Sequence, residues 1–374
     1  MYLETLQVSQ FRNIIQASLE FGSGFNVFYG DNAQGKSNLL EAIYMMAYLK
    51  GFRGAHLSEL IMQEASGAQL AATLNREGAV TRLGVELSGR QRKVQLDRSP
   101  CQRLSDYLGV LRAILFVPSD VGLLQAAPAE RRTFLDRMVF NFQPLYLQNL
   151  DLYNKNQKLK ASELRQDEPN EGMLDVYDMA LEQYGREIIR SRYLFFKALA
   201  PHLASSFSAI FDDHFTCYPA YTCASGGTHR FTPEGEGYEL EALLEGYSRK
   251  IHSSRSVELV RHQACSGPHR DDWTFILNGR ESRYFASQGQ QRSMILALKM
   301  AEIACVKAEM GVEPVFLLDD ISSELDPTRN DRLARHLYSL TTQTFLTTTS
   351  KNHFKLPQGS RVFHVQDGTF IQDA

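Results

Sequence analysis

The stretch FNVFYGDNAQGKSNLLEAIYMMAYL, residues 25–49, carries three patterns in succession. An apolar run, Phe25–Tyr29, reads as a short buried strand, a glycine-bounded polar loop follows, and then Leu39, Leu40, Ile43 and Ala47 recur at helical spacing. Gly30, Gly35, Lys36 and Ser37 fit GxxxxGK[ST] in the strand–loop–helix setting that gives the pattern its meaning. In such a loop the backbone N–H groups and the helix start surround a polyphosphate, the lysine reaches the β and γ phosphates, and the hydroxyl ligates Mg²⁺. Gly30, Asp31, Asn32, Ala33, Gln34, Gly35, Lys36, Ser37 and Asn38 are therefore read as a cradle for ATP, with Ser37 as a metal ligand.

A phosphate loop of this kind needs an acidic strand end beside it. EPVFLLDDISSELD, residues 313–326, supplies a buried-type strand, Val315–Leu318, that runs into Asp319 and Asp320. The C-terminal end of a parallel strand faces the ligand crevice, where Asp319 can hold Mg²⁺ directly or through water. Asp320 is then the candidate to polarise an attacking water. Lys36, Asp319 and Asp320 are the expected catalytic residues, and Ser37 and Asp319 the expected metal ligands.

A third segment, SQGQQR at residues 287–292, opens an apolar-striped helix that carries Ile295, Leu296, Leu298 and Ala301. It reads either as a plain capped helix with Ser287 as N-cap, or as a second anion site, since free N–H groups and a positive dipole end meet there with no Cβ on the glycine. On the second reading Ser287, Gly289 and Gln290 reach the γ phosphate held by another copy, and ATP is shared in a homodimer.

The order of these segments resembles the ABC-type ATPase heads of the SMC and RecF families, and the wording is that of the RecF family. The resemblance rests on FRN at Phe11, Arg12 and Asn13, on GDNAQGKSNLLEAIY, on RRTFLD from Arg131 to Asp136, on GPHRDD from Gly267 to Asp272, and on SQGQQR and LLDDISSELD. It implies an α/β ABC-type P-loop ATPase head with a mostly helical second domain inserted and no long coiled coil. The expected division is 1–120 plus 255–374 for the ATPase domain and 121–254 for the insert. Ser323, Glu324, Leu325 and Asp326 would be the D-loop, with Asp326 at a shared interface. The resemblance also implies binding of single-stranded and gapped or junction DNA in gap repair, and action with RecR and RecO to load RecA.

Two departures bear on catalysis. Asp320 stands where many ABC ATPases have a glutamate, one methylene longer, so slow turnover is expected. The histidine that many of them place after the next strand is missing from QTFLTTTS, where Thr347, Thr348 and Thr349 occupy the region. A clear Q-loop glutamine is absent too, and Asp120 at the end of LFVPSD is only a positional substitute.

Between the two halves, Leu174, Leu181, Ile188 and Phe195 lie seven apart, with Leu145, Leu152 and Leu159 as a weaker upstream row and QDEPNEG as a reversal between them. This predicts a helical hairpin about 35 Å long, or equally the core of a helical subdomain. HFTCYPAYTC and WTFILNGRESRYF read as strands, the latter turning at Asn278 and Gly279.

With 374 residues and 43% hydrophobic side chains the chain can bury a large core. Its net charge of −3 leaves nucleic-acid contact to local patches. Arg90, Arg92, Lys93 and Arg98, and Arg131, Arg132 and Arg137, form two basic clusters that read either as solvated faces or as DNA contacts. Five cysteines with no CxxC spacing indicate neither disulfides nor zinc, and buried reduced thiols are expected. No run approaches the roughly 20 apolar residues of a membrane span and the N-terminal sequence lacks the form of a secretion signal, so a cytoplasmic place with no membrane partner is expected. A transporter nucleotide-binding subunit would call for LSGGQ, and an ATPase-headed nuclease for a further acidic domain; the sequence shows neither.

Overall fold

Phe25–Tyr29 is apolar on both faces, and a strand of that kind belongs inside a parallel sheet covered on both sides. The computed structural model places it there, and describes residues 1–210, 215–233, 235, 239–320, 327–339, 341–351 and 356–373. The chain forms two units, the first of Met1–Val121, Ala209–Phe211 and Val306–Ala374, the second of Gly122–Ser208 and Asp212–Cys305.

In the first unit a six-stranded sheet has the order Thr369–Gln372, Arg361–Gln366, Phe25–Tyr29, Thr344–Thr348, Val315–Leu318, Ala113–Phe116. All its pairings are parallel except that of the outermost strand with Arg361–Gln366. A second, antiparallel sheet has the order Ile14–Glu20, Tyr2–Phe11, Ala68–Arg76, Ala79–Ser88, Gln91–Leu96, Ser99–Pro100. The helix Lys36–Tyr48 touches strands of both sheets, which explains why it is buried nearly all round instead of along one stripe. Gln343 ties the sheets together: its amide donates to the carbonyls of Leu3 and Gly22 and accepts from the Leu3 N–H, each at 2.8 Å.

The second unit combines helices with the four-stranded sheet Gly227–Arg230, Cys217–Cys223, Asp272–Leu277, Arg280–Glu281. The strand expected through RESRYF stops early, at Glu281, and Ser282–Phe285 is helical. The hairpin is present as Tyr146–Glu163 and Glu171–Ile210, but its second helix runs far past the expected length, to about 60 Å at 1.5 Å per residue. Leu174, Leu181, Ile188 and Phe195 are buried as the seven-residue spacing requires. The facing row is not the expected one. Leu145 and Leu159 are exposed, while Tyr146, Tyr153 and Lys160, one residue later, are buried.

The two motifs RRTFLD and GPHRDD meet inside this unit. Arg131 makes a two-pronged ion pair with Asp272, and Arg132 donates to the Asp271 carbonyl at 3.0 Å. Buried Arg192 joins Asp136 at 2.8 Å and Asp271 at 3.0 Å. The charge of buried Arg131 is thus used on the protein's own Asp272, whereas half-buried Arg132 is tied only to a backbone carbonyl.

The other basic cluster, Arg90, Arg92, Lys93 and Arg98, is exposed throughout; Arg92 alone also donates to the Leu49 carbonyl, at 2.6 Å, at the end of the helix Lys36–Tyr48. All five cysteines are free thiols, three of them buried and two half-buried. Among the described residues no helix is long and apolar enough to cross a membrane.

Candidate nucleotide-binding site

Gly30 and Gly35 bracket the loop for steric reasons. A Cβ on Gly30 (φ 150°) would lie 2.3 Å from the Val365 carbonyl oxygen, and one on Gly35 (φ 113°) 2.9 Å from Asn13 Oδ1. Gly35 caps the helix, whose first turn holds no acidic residue to compete for an anion. Lys36 folds back over the loop, with Nζ donating to the carbonyls of Gly30 and Asp31 at 2.7 Å each. Burial pushes its ammonium below the ordinary lysine range, against the opposing pull of Asp320, Asp319 and Asp31.

Parallel pairing brings the ends of the strands Val315–Leu318 and Thr344–Thr348 together beside this loop. Ser37 Oγ donates to Asp319 Oδ1 at 2.7 Å. Thr347, wholly buried, donates to the same oxygen at 2.7 Å and accepts the Asp320 backbone N–H at 3.0 Å. One hydroxyl therefore holds the Asp319 carboxylate and the backbone of Asp320. A cavity of about 290 Å³ opens here, lined in part by Lys36, Ser37, Asp320 and Thr347. A hydroxyl and a single carboxylate facing a phosphate loop suit Mg²⁺, which is normally held by one or two carboxylates together with substrate phosphates. Among the described residues no cluster of three acidic, histidine or cysteine side chains offers a metal site elsewhere.

The FRN motif braces the cradle from outside. Asn13 accepts from Asn38 at 2.8 Å, Arg53 donates to the Asn38 side-chain oxygen at 3.1 Å, and Arg12 pairs with buried Glu41 of the helix at 2.8 Å. Gln34 accepts the N–H of Asp367 through its side chain at 2.7 Å and that of Gly368 through its carbonyl at 2.8 Å. Arg53 and Glu41 carried no signal in the sequence; FRN was visible as wording, but its partners lie far along the chain.

Gly30, Asp31, Asn32, Ala33, Gln34, Gly35, Lys36, Ser37, Asn38, Asp319 and Asp320 thus come together in the first unit. Ser287, Gly289 and Gln290 belong to the second. There Ser287 and Gln290 cap each other: Ser287 N–H donates to Gln290 Oε1 at 2.8 Å and Gln290 N–H to Ser287 Oγ at 3.3 Å, ahead of the helix Gln288–Met310. Asp120, the Q-loop substitute, accepts the Val117 N–H at 3.2 Å as a local cap. Residues 323–326, the expected D-loop, lie outside the described residues.

The family model for the RecF/RecN/SMC N-terminal domain matches residues 2–370. The chain is 36% identical over 375 residues to the DNA replication and repair protein RecF of Streptococcus uberis, covering all of both, and 35% identical over 374 residues to that of Streptococcus suis, covering 98% of each. Its structure is similar to the recombination mediator protein RecF with ATP in the RecFOR pathway, with a TM-score of 0.88 and 29% identity over 100% of this chain and 98% of the other. An SMC head bound to the C-terminal winged-helix domain of ScpA has the same fold, with a TM-score of 0.57 at 14% identity over 100% and 97% of the two chains. With an ABC-type head fold, a phosphate loop built as described and relatives matched end to end, the chain belongs to the RecF family, within the group that shares the RecF/RecN/SMC N-terminal domain.

Proposed function

We propose that this protein is an ATP-dependent DNA-binding ATPase of gap repair and recombination, which dimerises on ATP, clamps single-strand/double-strand junctions and hydrolyses ATP slowly to reset. The observation that carries the nucleotide part is the chain of contacts Ser37–Asp319–Thr347–Asp320 beside the lysine-capped loop. End-to-end likeness to proteins named for DNA replication and repair, and to a recombination mediator with ATP, supports the coarse function. Action with RecR and RecO to load RecA, and a cytoplasmic place, follow from the same likeness.

Arriving phosphates compete with the Gly30 and Asp31 carbonyls for the Lys36 ammonium, so the lysine exchanges weak acceptors for charged ones. Ser37 and Asp319 would hold Mg²⁺, which when bound neutralises part of the phosphate charge. Asp320 orients the attacking water, less firmly than a longer glutamate would, which suits a clamp that stays closed for long periods. Ser287, Gly289 and Gln290 complete the site of the facing copy, so residues 255–374 work with 1–120 even though the compact units divide elsewhere.

Ser287→Arg tests the reading. ATP binding at dilutions where the protein is monomeric should stay near wild type, and ATP-driven dimers, followed by light scattering, should disappear. Dimerisation of the variant at wild-type ATP concentrations would refute the shared site.

A further inference from the structure

The cradle in the first unit offers groups for phosphate and none for a base: among the described residues, none of those lining its cavity is aromatic. The second unit shows the opposite. Immediately before Ser287, the short helix Ser282–Phe285 exposes two adjacent rings, Tyr284 at 71% and Phe285 at 66%. The Arg283 guanidinium lies over the Tyr284 ring at 5.4 Å, and that of Arg280 over Phe285 at 5.5 Å. A hollow beside them is lined by Leu277, Asn278, Arg280, Ser282, Phe285 and Gln290, the last belonging to the signature segment. Ser282 is buried, and its Oγ has no hydrogen-bond partner among the described residues.

We propose that Tyr284 and Phe285 of one copy stack on the purine base of the ATP held by the other. This rests on the shared-site reading above, and adds to it a base platform supplied in trans. Two geometric points carry it. Phe285 and Tyr284 lie two and three residues from Ser287, a reach of at most about 11 Å, comparable with the triphosphate and ribose that separate a γ phosphate from its base. Rings left in water with cations over one face are also ready platforms, since every base has a π-face and the arginines hold the rings in place. The unmet Ser282 hydroxyl in the same wall offers a hydrogen bond to ribose or to a base edge.

The experiment combines photolabelling with dimerisation. In wild-type protein, 8-azido-ATP with Mg²⁺ should label the peptide holding Tyr284 and Phe285, and only at protein concentrations where light scattering shows a dimer. Tyr284→Ala with Phe285→Ala should raise the ATP concentration for half-maximal dimerisation about tenfold, within the range of a lost base–aromatic stack, with no change in thermal midpoint because both rings are exposed. Tyr284→Trp with Phe285→Tyr should keep the wild-type value. Labelling confined to other segments in a verified dimer, or alanine substitutions that leave ATP-driven dimerisation unchanged, would overturn the proposal while leaving the shared site standing. Wild-type protein that stays monomeric with ATP removes the shared site itself, and the platform with it.

Discussion

Thr347 gives its proton to Asp319 and receives the Asp320 N–H without touching solvent. Thr347→Val keeps the shape and removes both bonds, leaving Asp319 Oδ1 with Ser37 alone and taking this acceptor from the Asp320 N–H, at about 1–3 kcal/mol. ATP hydrolysis should fall at least tenfold while ATP binding measured in EDTA barely changes; equal losses in both would mean that the hydroxyl only holds the fold. At this scale the sequence is readable where the chemistry is local. Lys36 and Ser37 follow from adjacent letters, whereas the role of Thr347 depends on a contact with a carboxylate 28 residues earlier in the chain. His269 is a second such case, hydrogen-bonded to Tyr153 at 2.7 Å. Burial, helped by Arg270, Arg132 and Arg192, lowers its pKa to about 4. The unfolded chain takes up a proton on this ring near pH 6.5 and the folded chain does not, so the stabilisation is fully present above pH 6.5 and is lost as pH falls towards 4. Unfolding free energies from urea at pH 7.5 and pH 5 should therefore converge in His269→Gln, by about 1 kcal/mol once the undiscounted value of about 2 is reduced for partial exposure.

At the scale of elements, the seven-residue spacing of the long helix was legible and its partner row was not. Hydropathy favours Leu145, Leu152 and Leu159, but the buried positions are taken by Tyr146, Tyr153 and Lys160, whose polar ends are all satisfied inside. Tyr146 donates to Asp136 at 2.5 Å, Tyr153 meets His269, and Lys160 sits between Asp178 and Glu258. Side chains with long apolar bodies and paired tips fill a seam as leucine does, and no pattern of single letters records the pairing. Lys160→Met would leave buried Glu258 without its cation and Asp178 with Arg255 alone, and should cost about 3–5 kcal/mol in urea unfolding. Adding Glu258→Gln should recover part of that loss, and strict additivity of the two changes would show that the pair is not coupled. At the signature helix the cap reading of Ser287 is what the chain shows, and the phosphate contact in a dimer is the proposal. Ser287→Asp separates the two, since aspartate caps as well as serine but sets a negative charge against a phosphate. Thermal stability should stay within about 1 kcal/mol of wild type while ATP-driven dimers are lost.

For the whole molecule, the order of segments sufficed to name the fold, because phosphate loop, signature and acidic strand must recur in that order for an ABC-type head. The expected division at residues 120 and 255 follows the order of segments, whereas the compact units follow contacts and place residues 255–305 in the second unit. Charge is limiting at this scale. A net charge of −3 offers no general attraction to DNA, and with Arg131 paired to Asp272 and Arg92 held at the Leu49 carbonyl, each copy keeps Arg90, Lys93 and Arg98 as the exposed cations of its two clusters that no such bond ties down, besides half-buried Arg132 and Arg137. In the proposed dimer, two copies aligned by shared ATP would double the few phosphate contacts open to one copy. The logarithm of the DNA association constant falls with the logarithm of salt at about 0.9 per phosphate neutralised, so a non-hydrolysable ATP analogue should about double the steepness seen without nucleotide. Replacing Arg90, Lys93 and Arg98 together by alanine should flatten the analogue-bound slope by up to about 5, from three charges in each of two copies, and the nucleotide-free slope by half as much. A slope indifferent to nucleotide would mean that the DNA-bound species is the same with and without ATP, and that dimerisation does not build the DNA site.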